Sequence, residues 1–236
     1  CKALKEISLA YGIPLLSGKD SMYVDGHLPG PYGESHKVSA PETLQFSTTG
    51  VIDHIDRCVT MEPKQAGDLL YILGQTRDEL GGSEYYDRFG YIGLRVPEVR
   101  PEAHLPLYKA LHGAILNDLC ASVHGIYRGG LGPHLALMAM GGELGLTAEL
   151  DKVPGEGALD DATLLFSESA GRFLATVTPG NQAAFEARMA GEVFACIGRV
   201  EAAANLVILS QAGADLTGLG VDAMRNAWKT PFGQLI

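Results

Sequence analysis

Cysteine is scarce in this chain of 236 residues: Cys1, Cys58, Cys120 and Cys196 stand far apart and form no C-x-x-C pair. That spacing argues against a zinc knuckle or a disulfide scaffold and fits a reducing compartment, the cytoplasm. Long apolar runs are missing as well. None approaches the roughly 18–20 residues that a bilayer span needs. The opening Cys1-Lys2-Ala3-Leu4-Lys5-Glu6 has no apolar stretch of the signal-peptide kind. Cations are few, 18 Lys and Arg against 28 Asp and Glu, for a formal net charge of −10. A general nucleic-acid binder needs a basic face, so that class is disfavoured. Local phosphate binding through backbone N–H groups, a few cations or Mg²⁺ stays open. His27, His36, His54, His104, His112 and His134 show neither H-x-x-H nor H-E-x-x-H spacing, against a transition-metal site. No G-x-S-x-G nucleophile turn occurs.

What is present is the composition of a packed protein, 46% hydrophobic and 19% charged. Thirty glycines in such a chain mean tight turns and close backbone approaches rather than a flexible linker. Leu4, Ile7, Ala10 and Tyr11 recur at helical spacing, which predicts a helix over 1–11 ended by Gly12. A chain that opens inside a helix reads as a piece of a longer protein. Ile13 to Ser17 reads as a short strand, and the Gly- and Pro-rich residues 18–41 as a long loop. A strand is expected over 44–51. Asp68 to Leu73 is nearly continuous in apolar residues and reads as a central strand. Helices are expected over 103–119, 131–140, around Ala183 to Met189, and near 221–228. Further strands are expected near 144–150, 163–166, 172–178, 194–200 and 205–209. The alternation is irregular, so the fold class is mixed α/β, a mixed sheet with helices packed on it.

Four segments carry candidate chemistry. Ser17-Gly18-Lys19-Asp20-Ser21 follows the first strand. Gly18 permits close approach of a phosphate, Lys19 is a cation, Asp20 a hard oxygen for Mg²⁺, and Ser21 a hydroxyl donor. A plain polar turn explains the same residues. Arg77 to Tyr85, with Gly81-Gly82-Ser83 opening a helix, offers N–H groups to an anion, or is an N-capped helix with Ser83 or Asp78 as the cap. Ser122 to Leu131 places His124 at the end of a strand, then Arg128 and Gly129-Gly130 before a helix. These residues line a phosphate or nucleotide site, or His124 is a structural histidine. Phe166-Ser167-Glu168-Ser169-Ala170-Gly171-Arg172-Phe173 reads as a turn with a buried Glu168–Arg172 pair.

Taken in order, these blocks resemble the phosphoribosylformylglycinamidine synthase family. They are Ser-Gly-Lys-Asp-Ser-Met-Tyr, Arg-Asp-Glu-Leu-Gly-Gly-Ser-Glu-Tyr, Gly-Gly-Leu-Gly, Leu-Phe-Ser-Glu-Ser-x-x-Arg-Phe and Ile-Gly-Arg-Val. The likeness runs from Pro14 to about Trp228 and is to the C-terminal part of the synthetase portion. It implies a three-layer α/β/α sandwich of the aminoimidazole ribonucleotide (AIR) synthetase C-terminal type. Residues 1–40 would be the tail of a second, ferredoxin-like A domain, and residues 41–236 the second B domain. It implies de novo purine biosynthesis: ATP phosphorylates the amide oxygen of formylglycinamide ribonucleotide (FGAR), and glutamine-derived ammonia displaces the phosphate to give the amidine. ATP and Mg²⁺ are the implied cofactors. The implied partners are the first A and B domains and a glutaminase subunit or domain.

The resemblance carries Gly18, Lys19 and Ser21 over as nucleotide or substrate contacts and Asp20 as a metal ligand, beside Gly81, Gly82, Ser83, His124 and Arg128 as binding residues. Many members read Gly-Asn-Val-Ser where Lys19 and Asp20 stand here. Many read His-Asp-x-Ser-Asp-Gly-Gly-Leu where this chain reads His124-Gly125-Ile126-Tyr127-Arg128-Gly129-Gly130-Leu131. Two carboxylates are replaced and Arg128 is gained, so direct anion contact by Arg128 takes the place of a metal site. The family's catalytic His and principal ATP lysine belong to the first A domain, so no catalytic residue is expected here. The alternatives are a non-catalytic half-module with an auxiliary nucleotide, or another AIR-synthetase-like enzyme such as selenophosphate synthetase, thiamine-phosphate kinase or the hydrogenase-maturation dehydratase.

Overall fold

Leu69–Leu73, an unbroken apolar strand, is buried on both sides: Leu70, Tyr71, Ile72 and Leu73 are fully inaccessible. Alternate side chains of a strand point to opposite faces, so Leu70 and Ile72 join one hydrophobic core while Tyr71 and Leu73 join a second. A seven-stranded sheet is built on both edges of this strand. The structure, a computed structural model, describes residues 1–19, 25–40 and 45–232. They divide into two compact units, Cys1–Ile55 and Asp56–Ile236.

The first unit carries helix α1 (Lys2–Tyr11), closed by Gly12 in the left-handed conformation, and a hairpin of β1 (Asp25–Pro29) and β2 (Ser35–Ser39). The second unit begins its sheet with β3 (Leu69–Leu73). After it come α2 (Glu84–Arg88), α3 (Pro101–Leu116), β4 (Ser122–Ile126), α4 (Leu131–Gly142), β5 (Gly145–Glu149) and α5 (Asp161–Phe166). The chain continues through β6 (Arg172–Val177), α6 (Gln182–Met189), β7 (Phe194–Glu201), β8 (Asn205–Leu209), β9 (Asp215–Gly220) and α7 (Val221–Lys229). The seven strands run in the order β4-β6-β3-β7-β5-β8-β9, antiparallel except for the β5–β8 pair.

Helices α4, α5 and α7 bring Leu131, Leu135, Met138, Leu164 and Met224 onto the face of Leu70 and Ile72. Helices α3 and α6 bring Leu107, Leu111, Phe185 and Met189 onto the face of Tyr71. Two helical layers on a mixed sheet make the expected three-layer α/β/α sandwich. Among the described residues no helix is long and apolar enough to cross a membrane.

Several local expectations are corrected. Residues 163–166 are helical, because Asp160 accepts the Thr163 N–H (2.8 Å) and caps α5. Residues 13–17 form no strand. Ile13, Leu15 and Leu16 are exposed, and no described strand pairs with them to hold an extended ladder. Residues 45–51 are likewise outside any strand, and Leu44 lies outside the described residues. The stretch read as a long loop holds the β1–β2 hairpin, in which Asp25 stands opposite Ser39 and pairs with Lys37 at 3.0 Å. Gly30, Pro31 and Gly33 lie in the turn between the strands. Strand β9 was not anticipated.

Candidate functional site

Beyond β3 the chain runs Gly74 to Ser83 as a loop and enters α2, with Ser83 as N-cap accepting the Tyr86 N–H at 3.2 Å. The loop is closely packed. A Cβ on Gly81 would stand 2.7 Å from the Arg95 carbonyl oxygen, and Gly82 takes φ +69. The three N–H groups that the sequence offers to an anion are engaged inside the chain: Gly81 to Arg95 O (2.7 Å), Gly82 to Ile92 O (2.7 Å) and Ser83 to Leu80 O (3.2 Å).

A second loop, Tyr127–Gly130, joins β4 to α4. Gly130 lies at φ 80 and ψ −166, and a Cβ there would meet the Leu165 carbonyl at 2.7 Å. That conformation is open to glycine alone. Arg128 pairs with Glu84 across the two loops, its side chain 78% exposed.

The turn at 167–169 lies between them. Oε1 of Glu168 accepts the N–H of Glu84 (2.9 Å) and of Gly129 (2.8 Å). The expected Glu168–Arg172 pair is not what forms. Arg172, 1% exposed, donates to the carbonyls of Ser169 (3.0 Å) and Ser167 (2.5 Å) and to Thr76 Oγ1 (2.9 Å). Burial pushes its pKa down to about 10, which leaves it charged at neutral pH.

His124 sits inside β4 rather than at its end and is buried. Its Nε2 meets Nδ1 of His134 in α4 at 2.8 Å, and His134 Nε2 faces both the Tyr127 N–H and the Arg128 carbonyl at 3.2 Å. Burial lowers the pKa of both imidazoles. His134, with His124 beside it, falls to about 4, so the pair is neutral with one hydrogen between the rings. Sequence reasoning missed His134, because residues ten apart across a strand, a turn and a helix have no fixed spacing signature. It also missed the use of Glu168, although Ser-Glu-Ser in a turn marked the place.

Between the loop from Gly74 to Ser83, α2 and the start of α5 lies an open depression of about 430 Å³, lined by Asp78, Leu80, Tyr85, Tyr86, Asp160 and Thr163 among others. Hydrogen bonds from Thr163 hold Asp160 below the ordinary carboxylate range. A smaller depression of about 270 Å³ shares Asp78, Leu80 and Tyr86 and adds Gly81, Gly93, Leu94 and Arg95. Of the residues singled out in the sequence, Gly81 lines the smaller depression, Gly82 and Ser83 follow it in the same loop, Arg128 reaches Glu84 at the start of α2, and His124 is buried against His134. Gly18 and Lys19 are exposed residues of the other compact unit. Asp20 and Ser21 lie outside the described residues. Among the described residues no three His, Cys, Asp or Glu side chains converge as a metal site.

The family model for "AIR synthase related protein, C-terminal domain" matches residues 65–210. The phosphoribosylformylglycinamidine synthase subunit PurL of Thermococcus sibiricus is 34% identical over 199 residues, 84% of this chain and 26% of that protein. This chain therefore spans about a quarter of the length of the curated relative. Thermotoga maritima PurL complexed with FGAR shares the fold at a TM-score of 0.64 and 18% identity, over 72% of this chain and 30% of that one. The same protein complexed with ATP gives 0.60 and 17%, over 72% and 27%. With the domain model covering most of the second compact unit, and the strands and helices that the model spans in place, this chain belongs to the AIR synthase-related protein family and carries its C-terminal domain.

Proposed function

We propose that this chain is part of the synthetase portion of an ATP-dependent phosphoribosylformylglycinamidine synthase, acting in the cytoplasm. The observation that carries the reading is the 34% identity to a PurL subunit over 84% of the chain. In that reaction the amide oxygen of FGAR takes the γ-phosphoryl group of ATP and ADP leaves. Ammonia then displaces the phosphate and gives the amidine. Phosphoryl transfer of this kind depends mostly on positioning and on charge neutralisation. In this reading residues 1–40 are the tail of a preceding A domain and residues 41–236 a B domain. Gly18, Lys19 and Ser21 contact nucleotide or substrate, and Asp20 offers a carboxylate to Mg²⁺. Gly81, Gly82 and Ser83 shape the loop that presents Asp78, Tyr85 and Tyr86 to the depression. His124 supports the neighbouring turn, and Arg128 meets a ligand anion on leaving Glu84. The remaining A and B domains and a glutaminase complete the enzyme.

The test is made on the full-length parent protein. It should release phosphate from ATP only when FGAR and ammonium are both supplied, with the amidine formed in equal amount. Lys19→Ala and Asp20→Ala should each lower turnover sharply. Phosphate release indifferent to FGAR would remove the ligase reading. Unchanged turnover in both variants would remove the role given to the turn at 18–21. A non-catalytic role for this half of the enzyme is favoured by one observation, the internal engagement of the Gly81, Gly82 and Ser83 amides. It would show as wild-type turnover in Arg128→Ala together with unchanged nucleotide affinity by calorimetry.

A further inference from the structure

We propose that Glu168 is a positioning residue whose carboxylate, by accepting from the backbone of two loops at once, sets the rim of the depression at Asp78, Tyr85 and Tyr86. The proposal rests on the ligase reading for its kinetic consequence and on the structure alone for its geometry. One oxygen, Oε1, accepts the N–H of Glu84 at 2.9 Å and that of Gly129 at 2.8 Å. The donors lie 45 positions apart in sequence, one at the start of α2 and the other in the turn before α4. A carboxylate accepting from two amides makes charge-assisted bonds, stronger than neutral ones. The Arg128–Glu84 pair spans the same loops, but both side chains are largely exposed and water competes for them.

The strut is fixed from below. Ser167 Oγ donates to the Arg77 carbonyl (2.6 Å), and the Arg77 N–H donates to Ser169 Oγ (3.0 Å). Arg172 grips the carbonyls on both sides of Glu168 from its buried position. The backbone of Glu168 therefore has little freedom, and the carboxylate transmits a fixed spacing. Next to it the Tyr85 ring stacks on Phe166, centroids 4.7 Å apart and planes within 5°. Gly130 is packed against Leu165 and Phe166. The rim residue Tyr85 thus follows the 165–169 segment on one side and Glu84 on the other.

The experiment compares Glu168→Ala, Glu168→Asp and Glu168→Gln in the full-length protein. Steady-state kinetics with FGAR, ATP and ammonium are combined with hydrogen exchange at the Glu84 and Gly129 amides. In Glu168→Ala the KM for FGAR or for ATP should rise about tenfold with kcat changed less than about threefold. Both amides should exchange about tenfold faster. Glu168→Gln keeps an oxygen that accepts both N–H groups and should restore both readouts to within about threefold of wild type. A merely structural residue would lower the active fraction, and so kcat, and leave KM alone. Unchanged KM values in Glu168→Ala, or a Gln variant as impaired as the Ala variant, would overturn the proposal. If Glu168→Ala does not fold, Glu168→Asp takes its place, since the shorter side chain cannot hold both amides. A wild-type parent without FGAR-dependent turnover would defeat the ligase reading instead, and the exchange rates would still decide whether the strut exists.

Discussion

Among the described residues no carboxylate pairs with Arg172. Its guanidinium is buried and meets two carbonyls and one hydroxyl, all within the loops that carry the candidate site. The planar fork suits several acceptors at fixed angles, which an ammonium does not reproduce. Arg172→Ala removes the donors and leaves buried acceptors unpaired, each costing on the order of 1–3 kcal/mol. We expect a loss of roughly 3 kcal/mol or more for Arg172→Ala and an intermediate loss for Arg172→Lys. Urea titration checks both, as a lower midpoint at unchanged slope. The sequence marks Glu168 and Arg172 as opposite charges four apart, and pairing them is the natural expectation. The folded chain gives each a backbone partner instead, because three carbonyl and hydroxyl acceptors lie around the fork and two amides from distant loops lie around the carboxylate. Neither set of neighbours is written near these residues.

Glycine decides strand spacing in the sheet. Gly198 lies in β7 where the chain pairs with β3 on one side and β5 on the other. A Cβ at Gly198 would lie 1.8 Å from the Thr147 carbonyl oxygen, a distance that real atoms do not adopt. Gly198→Ala therefore pushes β5 from β7 and should cost roughly 2–4 kcal/mol. Gly218→Ala, in strand β9 at the sheet edge with open space around its Cβ, should cost less than about 1 kcal/mol. Thermal unfolding of the two variants side by side checks the contrast. Elements with a strong one-dimensional pattern, such as β3, α3 and α4, were legible because burial of one stripe or of a whole strand leaves a periodic apolar record. Helix α5 was not, because a single Asp160 side-chain bond overrode an apolar run short enough for either state. The β1–β2 hairpin was hidden because its turn residues, Gly30 to Gly33, outweigh two short and exposed strands.

On the scale of the molecule, the buried histidines tie stability to pH. His134 is held to about 4 by burial and by His124, whereas in an unfolded chain it titrates near its ordinary value of about 6.5. Between those values the unfolded state binds more protons, so stability is full above about 6.5 and falls as the pH drops towards 4. At pH 5 the loss relative to pH 7 should be about 2 kcal/mol from this group. His124 and His104, also lowered by burial, add in the same sense. Asp68 opposes them, since burial raises its carboxyl. His134→Gln isolates the effect: urea titrations at pH 5 and pH 7 should show a smaller difference in the variant than in wild type, and an equal difference would refute the assignment. By itself the sequence determined the fold class, the central strand, most of the sandwich helices and the family resemblance. These follow from composition, apolar period and short contiguous blocks, all local in the chain. Only the tertiary structure decided that Glu168 joins two loops, that His124 meets His134 and that the Gly81–Ser83 amides are spent internally. Most of these contacts join residues ten or more positions apart, and only the packing of the folded chain brings them within hydrogen-bond reach.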